Sequence, residues 1–124
     1  MTTSVKSLME QANAAVPRVN AAEALEMAKR ADALWLDVRD APEVAQSGKV
    51  AGAVNISRGM LEFRADPSSP AYDKNFVGEK TIFVYCASGG RSALAGKTLK
   101  DLGYEHVYNL GAFKDWVEGG GKVD

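Results

Sequence analysis

The sequence predicts an α/β fold, with a small central parallel sheet and helices on both of its faces, from two features of the chain. Apolar runs at 33–38, 81–85 and 106–110 are rich in β-branched and aromatic residues and do not alternate with polar ones, as is typical of strands covered on both faces. Residues 92–102, between the last two runs, carry a mostly apolar helical stripe, and Gly103 can supply the left-handed stop. A strand, helix and strand in this order favour parallel pairing with a right-handed crossover.

Further helices are expected on either side of these strands. A short helix over 4–15 is predicted to end before Pro17, which cannot continue it. Asn20 then offers a side-chain cap with Glu23 three residues on, as in a capping box, and the helix that it starts should end near Ala31. Short helices are also predicted at 42–46, 59–64 and 112–118, and a long loop at 65–78.

Length and composition indicate one folded domain. The 124 residues leave no room for two independent cores, and the apolar fraction of 46% and charged fraction of 25% are those of an ordinary globular protein. We therefore expect a single domain over residues 1–124, with its core at about 19–121 and a helical extension at 1–17.

Charge and cysteine content narrow the classes of function. With 15 basic and 16 acidic residues spread along the chain, the formal net charge of −1 gives no broad positive field, so neither nucleic acid nor a membrane is expected as a partner. The first residues contain no long apolar run, which argues against a signal peptide and favours the cytoplasm. One cysteine and one histidine provide neither an internal disulfide nor a well-supplied metal site.

The residues that follow the second strand are the best candidates for a functional site. Cys86 ends that strand and Arg91 opens the next helix, and ligands of open parallel sheets collect at this edge, where the helix presents free N–H groups. Gly89 and Gly90 allow the backbone to curl, so that several N–H groups can point at the sulfur. Such a nest favours the thiolate. The predicted ligand-binding residues of this loop are Ala87, Ser88, Gly89, Gly90, Arg91 and Ser92.

The side chains of this loop suit an anionic sulfur substrate. The guanidinium of Arg91 is a permanent cation whose planar fork matches an oxyanion such as the end of thiosulfate, and Ser88 and Ser92 add hydroxyl donors. A structural interpretation stands beside this one, since a lone cysteine at a strand end is commonly a small core residue. The joint placement of cysteine, glycines and arginine favours the functional interpretation.

The same loop resembles the active site of the rhodanese family. Cys86, Gly89 and Arg91 match the family pattern C-x-x-G-x-R. The resemblance runs from about residue 19 to residue 121, and its ordered matches make it specific. Three further segments are similar to family motifs: 37–43 to D-V-R-x-x-x-E, 48–56 to G-H-I-x-G-A-x-N-I, and 110–116 to L-x-G-G-x-x-x-W.

Two positions depart from the family motifs. Lys49 stands where the family commonly has histidine, and Ala112 replaces the second glycine of the last motif. Neither position supplies the nucleophile, so we expect these departures to alter packing or loop shape and not to abolish the reaction.

The resemblance implies a sulfurtransferase that needs no cofactor. The Cys86 thiolate would attack the outer sulfur of a donor such as thiosulfate, and the resulting persulfide would pass that sulfur to cyanide or a thiol. The family's acidic and basic pair, here Asp37 and Arg39, is implied to brace the sheet edge and loops. The implied partners are a small-molecule donor, thiosulfate or a persulfide, and a thiol acceptor, with the chain a monomer or a homodimer.

Two other functions remain open from the residues alone. A cysteine phosphatase also cradles an anion between a strand and a helix, but that class resembles C-x-x-x-x-x-R, whereas four residues separate Cys86 from Arg91 here. The second is a non-catalytic docking or sensing module, and modules of that kind often lack the cysteine.

Three charged residues are weaker candidates for the site. Arg58 and Arg64, in the segment 57–78, either attract anionic donors at the pocket mouth or are simply solvated. His106 precedes the third predicted strand, so we expect it on the side of the sheet opposite the cysteine loop, in a surface or packing role.

Overall fold

A sheet of four parallel strands forms the centre of the computed structural model, which describes residues 2–124. The strands are β1 (Ala33–Asp37), β2 (Val54–Asn55), β3 (Thr81–Cys86) and β4 (Val107–Ala112). Within this part of the chain the α-helices are α1 (Val5–Ala15), α2 (Ala21–Ala28), α3 (Ala41–Ser47), α4 (Leu61–Ala65), α5 (Gly90–Asp101) and α6 (Phe113–Glu118). The predicted α/β class with a parallel sheet is confirmed.

The alternation of side chains along β3 decides which face of the sheet carries the cysteine. The strands lie in the order β2-β1-β3-β4. Ile82, Val84 and Cys86 belong to the core cluster that includes side chains of α4 and α5. Phe83 and Tyr85 point to the other face, into a cluster with side chains of α2 and α6. Both faces of β3 are therefore covered, and Cys86 faces the α5 side.

The sequence does not predict β2, because its two residues carry no apolar run. It pairs with β1 through the registers Leu36 with Val54 and Asp37 with Asn55. The side-chain amide of Asn55 donates to the carbonyl oxygens of Asp37 and Arg39 at 3.1 and 2.9 Å. These side-chain hydrogen bonds reinforce a short backbone pairing.

The N-terminal extension forms α1 and joins the same packed unit as the sheet. Gly96 of α5 lies where α1 ends, and a Cβ atom there would come within 2.9 Å of the Val16 side chain. The chain then runs beside β4, since Asn109 donates through its backbone N–H to the carbonyl oxygen of Pro17 at 2.8 Å and accepts from Val19 at 3.1 Å. Capping of α2 follows the prediction: Asn20 and Glu23 exchange side-chain to backbone hydrogen bonds.

The segment after β2 holds more structure than the predicted loop suggests. A 3-10 turn, Arg58–Met60, precedes α4, and a second, Lys74–Phe76, interrupts the stretch 65–78. Phe76 is buried, and its ring lies 5.5 Å from that of Tyr104. This segment therefore covers part of the core. Among residues 2–124, no helix combines the length and apolar character required to cross a membrane.

Candidate active site

Cys86 is the last residue of β3, and its sulfur is enclosed by the loop that follows. The residue is fully buried, with 0% of its surface exposed. The sulfur accepts a hydrogen bond from the backbone N–H of Gly89 at 3.0 Å. Gly89 has a φ of 99°, in the left-handed region that favours glycine, and this turn brings its N–H back to the sulfur. Ala87 and Ser88 are exposed at the tip of the loop.

Two opposing effects set the pKa of the Cys86 thiol. Burial raises the pKa, whereas hydrogen bonds from the Ser92 hydroxyl and from the backbone N–H groups of Ser92, Gly89 and Ser88 lower it. The net result is a pKa below that of an ordinary thiol. In addition, α5 begins at Gly90 and directs the positive end of its dipole towards this loop. The loop therefore favours a thiolate.

Beside the sulfur, Ser92 and Asn109 form a buried polar pair of which the sequence singles out only the serine. Ser92 Oγ lies 3.5 Å from the Cys86 sulfur and 2.7 Å from Asn109 Oδ1. Asn109 Oδ1 also accepts from the backbone N–H of Gly111 at 2.9 Å. Asn109 lies on β4 and is 1% exposed. A polar residue inside an apolar strand is the sequence signal that points to it, because a buried side-chain amide needs fixed partners.

Arg91 turns away from the sulfur to an acidic residue on α3. Its two terminal nitrogens donate to the Glu43 carboxylate at 2.8 and 2.9 Å. These hydrogen bonds, followed by one from the backbone N–H of Asp40, hold the pKa of Glu43 down at about 2. The same ion pair raises the pKa of Arg91. Arg91 therefore links the start of α5 to α3 through Glu43, a pairing that the sequence does not predict.

Asp37 and Arg39 form a buried ion pair at the end of β1. The Arg39 Nη2 and Asp37 Oδ2 atoms lie 2.7 Å apart, with 4% and 0% of the two side chains exposed. Arg39 also donates to Ser47 Oγ at 2.7 Å and to the carbonyl oxygen of Gly48 at 2.8 Å. Its guanidinium carbon lies 4.5 Å from the ring centre of Phe113. The pair therefore links β1 to the end of α3 and to α6.

Arg58 and Arg64 are each held by an acidic partner and do not contact the cysteine loop. Arg58 donates to Glu62 Oε1 at 3.0 Å and to Thr98 Oγ1 at 2.9 Å, which fastens the 3-10 turn to α5. Arg64 donates to Asp73 Oδ2 at 2.7 Å across the stretch 65–78. Each arginine therefore has a structural contact that the sequence does not predict.

Three other residues singled out from the sequence lie away from the sulfur. Lys49 pairs with Asp124 at 3.2 Å, which connects the second family motif to the last described residue. Ala112 ends β4 and is partly buried. His106 is exposed and comes just before β4, at the end of the sheet where β3 and β4 begin, whereas Cys86 lies at the end where β3 stops.

A cavity of about 360 Å³ lies on the face of the sheet that α2 and α6 cover. Its lining includes Arg18, Glu23 and Trp116 but does not include Cys86. The guanidinium of Arg18 lies so close to Gly111 that a Cβ atom on that glycine would collide with it. The cavity is thus separated from the sulfur.

Comparison with known proteins gives a family and several relatives. The family model described as Rhodanese-like domain matches residues 20–119. The thiosulfate sulfurtransferase PspE of Escherichia coli (strain K12) is 41% identical over 81 residues, which is 65% of this chain and 71% of that protein.

Solved structures agree on the fold but carry different descriptions. A protein of unknown function from Rhodopseudomonas palustris CGA009, described as a possible tyrosine phosphatase, has 36% identity and a TM-score of 0.89, covering 100% of this chain and 96% of that one. The polysulfide-sulfur transferase homodimer from Wolinella succinogenes has 32% identity and a TM-score of 0.71, covering 93% and 82%. The resemblance seen in the motifs is confirmed, and the chain belongs to the family of rhodanese-like domains.

Proposed function

We propose that this chain is a sulfurtransferase that carries a sulfane sulfur on Cys86 as a persulfide. The observation that carries the proposal is the set of hydrogen-bond donors that converge on the Cys86 sulfur, led by the Gly89 N–H at 3.0 Å. Membership of the family and similarity to a named thiosulfate sulfurtransferase support the class of reaction. The proposed location is the cytoplasm, and no cofactor is involved.

The reaction proceeds in two displacements at sulfur. The Cys86 thiolate attacks the outer sulfur of thiosulfate, a new S–S bond forms, and sulfite leaves with the electron pair of the bond that breaks. A thiophilic acceptor, cyanide or a thiol, then attacks the outer sulfur of the persulfide, and the Cys86 thiolate leaves. Backbone N–H groups fixed before the reaction stabilise the anion at each stage without reorganising.

Access to the sulfur requires a movement of the loop tip. Cys86 is 0% exposed, so a donor cannot reach its sulfur in this conformation. Ala87 and Ser88 are exposed, and Gly89 follows them with a left-handed φ. We infer that the exposed side chains of Ala87 and Ser88 move aside to admit the donor, while the backbone N–H groups of the loop keep their positions around the sulfur.

The phosphatase description of the structural relative gives the second candidate function. Two observations favour sulfur transfer over it. Four residues separate Cys86 from Arg91, which makes a smaller ring than the five of the phosphatase pattern. The guanidinium that would hold a phosphoryl group already donates both terminal nitrogens to Glu43.

The proposed partners are a small-molecule donor, thiosulfate or a persulfide, and a thiol acceptor, with the protein a monomer or a homodimer. The relatives named for thiosulfate and for polysulfide support donors with a sulfane sulfur. A non-catalytic docking module is the less favoured alternative, because the chain retains the cysteine and the hydrogen bonds around it.

Purified protein mixed with thiosulfate and cyanide should produce thiocyanate, and Cys86→Ser should abolish this activity because the nucleophile is lost. Mass spectrometry after thiosulfate alone should show one added sulfur on the peptide that contains Cys86. His106→Ala, an exposed change at the opposite edge of the sheet, serves as the matched control and should keep the parent rate.

The possible results separate the three functions. Equal activity in Cys86→Ser would remove the proposed mechanism. Cys86-dependent hydrolysis of p-nitrophenyl phosphate without thiocyanate formation would favour the phosphatase. No activity in either assay and no added sulfur would favour a docking module.

A further inference from the structure

The hydroxyl of Ser92 has one proton, and three nearby groups can accept it. Ser92 Oγ lies 2.7 Å from Asn109 Oδ1, 3.1 Å from the carbonyl oxygen of Gly89 and 3.5 Å from the Cys86 sulfur. Cys86 and Ser92 are 0% exposed and Asn109 is 1% exposed, so these groups must satisfy one another without bulk water. The direction in which this hydroxyl points therefore affects the charge that the sulfur can hold.

The backbone of β4 fixes which way the Asn109 carboxamide faces. The Gly111 N–H donates to Asn109 Oδ1 at 2.9 Å. A flipped carboxamide would place the Asn109 Nδ2 donor against the Gly111 N–H donor. On the other side, Nδ2 lies 3.4 Å from the carbonyl oxygen of Gly89. Asn109 therefore accepts from Ser92 and cannot donate to it, which leaves a lone pair of Ser92 Oγ for the thiol S–H of Cys86.

We propose that Asn109 is a positioning residue that holds the Ser92 hydroxyl proton while Cys86 is a thiol and yields it to the sulfur when Cys86 is a thiolate. Hydrogen bonds to a charged acceptor are stronger than those between neutral groups, so the hydroxyl turns once the S–H proton has left. Asn109 Oδ1 keeps the Gly111 N–H in both states, and no buried acceptor loses its last donor. The change is a rotation of one hydroxyl, with no covalent bond formed or broken.

This inference rests on the proposed function, and it adds that the Ser92 hydroxyl responds to which sulfur carries the negative charge. In the persulfide the charge lies on the outer sulfur, and the sulfur of Cys86 is neutral. The Ser92 proton then returns to Asn109 Oδ1, its nearest acceptor. Ser92 thus stabilises the Cys86 thiolate as it attacks and as it leaves, while the competing pull of Asn109 prevents an overstabilised thiolate, which would be a weaker nucleophile.

The charged groups around the sulfur remain the same in variants of this pair. From α5, Arg91 acts on the sulfur through its charge, and it is itself paired with Glu43 of α3. Asp37 and Arg39, at the end of β1, pair with each other and contact Tyr85 and Phe113 on the other face of the sheet. A change in the thiol caused by a substitution at position 109 therefore reports on the hydroxyl network.

The test is a titration of the Cys86 thiolate by its ultraviolet absorbance in four proteins. Asn109→Ala removes the nearer of the two oxygen acceptors that compete with the sulfur, and should raise the thiolate-to-thiol ratio at a fixed pH by up to about fivefold, the effect of one ordinary hydrogen bond. Ser92→Ala removes the donor and should lower the ratio. The double variant should match Ser92→Ala alone, because Asn109 acts on the sulfur through Ser92.

The sign of the change separates positioning from a purely structural role. A loosened loop would withdraw its N–H groups from the sulfur, so a lowered or unchanged thiolate-to-thiol ratio in Asn109→Ala overturns the proposal. The proposal is also overturned if Asn109→Ala changes this ratio equally with Ser92 present and with Ser92→Ala. Asn109→Val, which also lacks the acceptor but suits a buried strand, replaces the alanine variant if circular dichroism shows that the latter is unfolded. The titration uses no sulfur donor, so its failure is distinct from a failure of the transfer assay.

Discussion

Arg39 and Arg30 both pair with a carboxylate, but the Arg39 side chain is 4% exposed whereas that of Arg30 is 81% exposed. Arg39→Ala leaves the buried Asp37 carboxylate without its partner, and we expect the free energy of unfolding to fall by about 3–5 kcal/mol. Arg30→Ala removes a screened surface contact to Glu26 and should change it by less than about 0.5 kcal/mol. Urea denaturation of the three proteins measures both effects.

Arg39→Lys sharpens this prediction because it keeps the charge. Arg39 Nε lies 3.0 Å from Asp37 Oδ1 and Nη2 lies 2.7 Å from Oδ2, a two-pronged contact that a lysine ammonium cannot reproduce. The lysine variant should fall between the parent and Arg39→Ala. Similar losses in Arg39→Ala and Arg30→Ala would show that burial does not set the strength of this pair.

At the scale of elements, the start of α5 depends on one glycine and tolerates a change at the next. Gly89 has a φ of 99°, whereas Gly90 takes no left-handed φ and has open space where a Cβ would stand. Gly89→Ala should cost about 1–3 kcal/mol of stability and should also decrease the thiolate fraction, because the strained turn moves its N–H from the sulfur. Gly90→Ala should leave stability unchanged or slightly increased. Urea denaturation combined with thiolate titration compares the two glycine variants. Equal losses of stability in Gly89→Ala and Gly90→Ala would contradict this prediction.

The elements that the sequence predicts well are those with a local pattern. The three apolar runs and the cap at Asn20 can be read from neighbouring residues, and all of them appear in the structure. β2 has two residues and forms through its pairing with β1, which no local pattern reveals. For the same reason the stretch 65–78 reads as a loop, although the burial of Phe76 and the Arg64 ion pair fix it to the core.

At the scale of the whole molecule, the same distinction separates the residues of the candidate site. Cys86 and Gly89 lie within one short segment, so a motif and a turn are enough to predict that they meet. The partners Glu43 and Asn109 come from α3 and β4, and their contacts depend on how distant elements pack. Sequence spacing alone does not reveal that Arg91 pairs with a carboxylate on another helix.

The ion pair between Glu43 of α3 and Arg91 of α5 joins two helices at the edge of the sheet that holds the sulfur. Hydrogen bonds from Arg91, and then from the Asp40 N–H, lower the pKa of Glu43 from 4.5 to about 2. Because the pKa of the folded state is the lower one, the stabilisation is complete above pH 4.5 and is lost as the pH falls towards 2. The Glu43 side chain is 39% exposed, so solvent screening keeps the contribution small.

We therefore expect Glu43→Gln to flatten the acid side of the stability profile. Between pH 4.5 and 2 the free energy of unfolding should fall less steeply in this variant than in the parent, since the variant has no carboxylate to protonate at this position. Glu10→Gln, an exposed change on α1 at a side chain without an ion pair among residues 2–124, should retain the parent slope. Urea denaturation at several pH values measures the three slopes, and parallel profiles for Glu43→Gln and the parent would mean that the α3 to α5 ion pair adds nothing to stability.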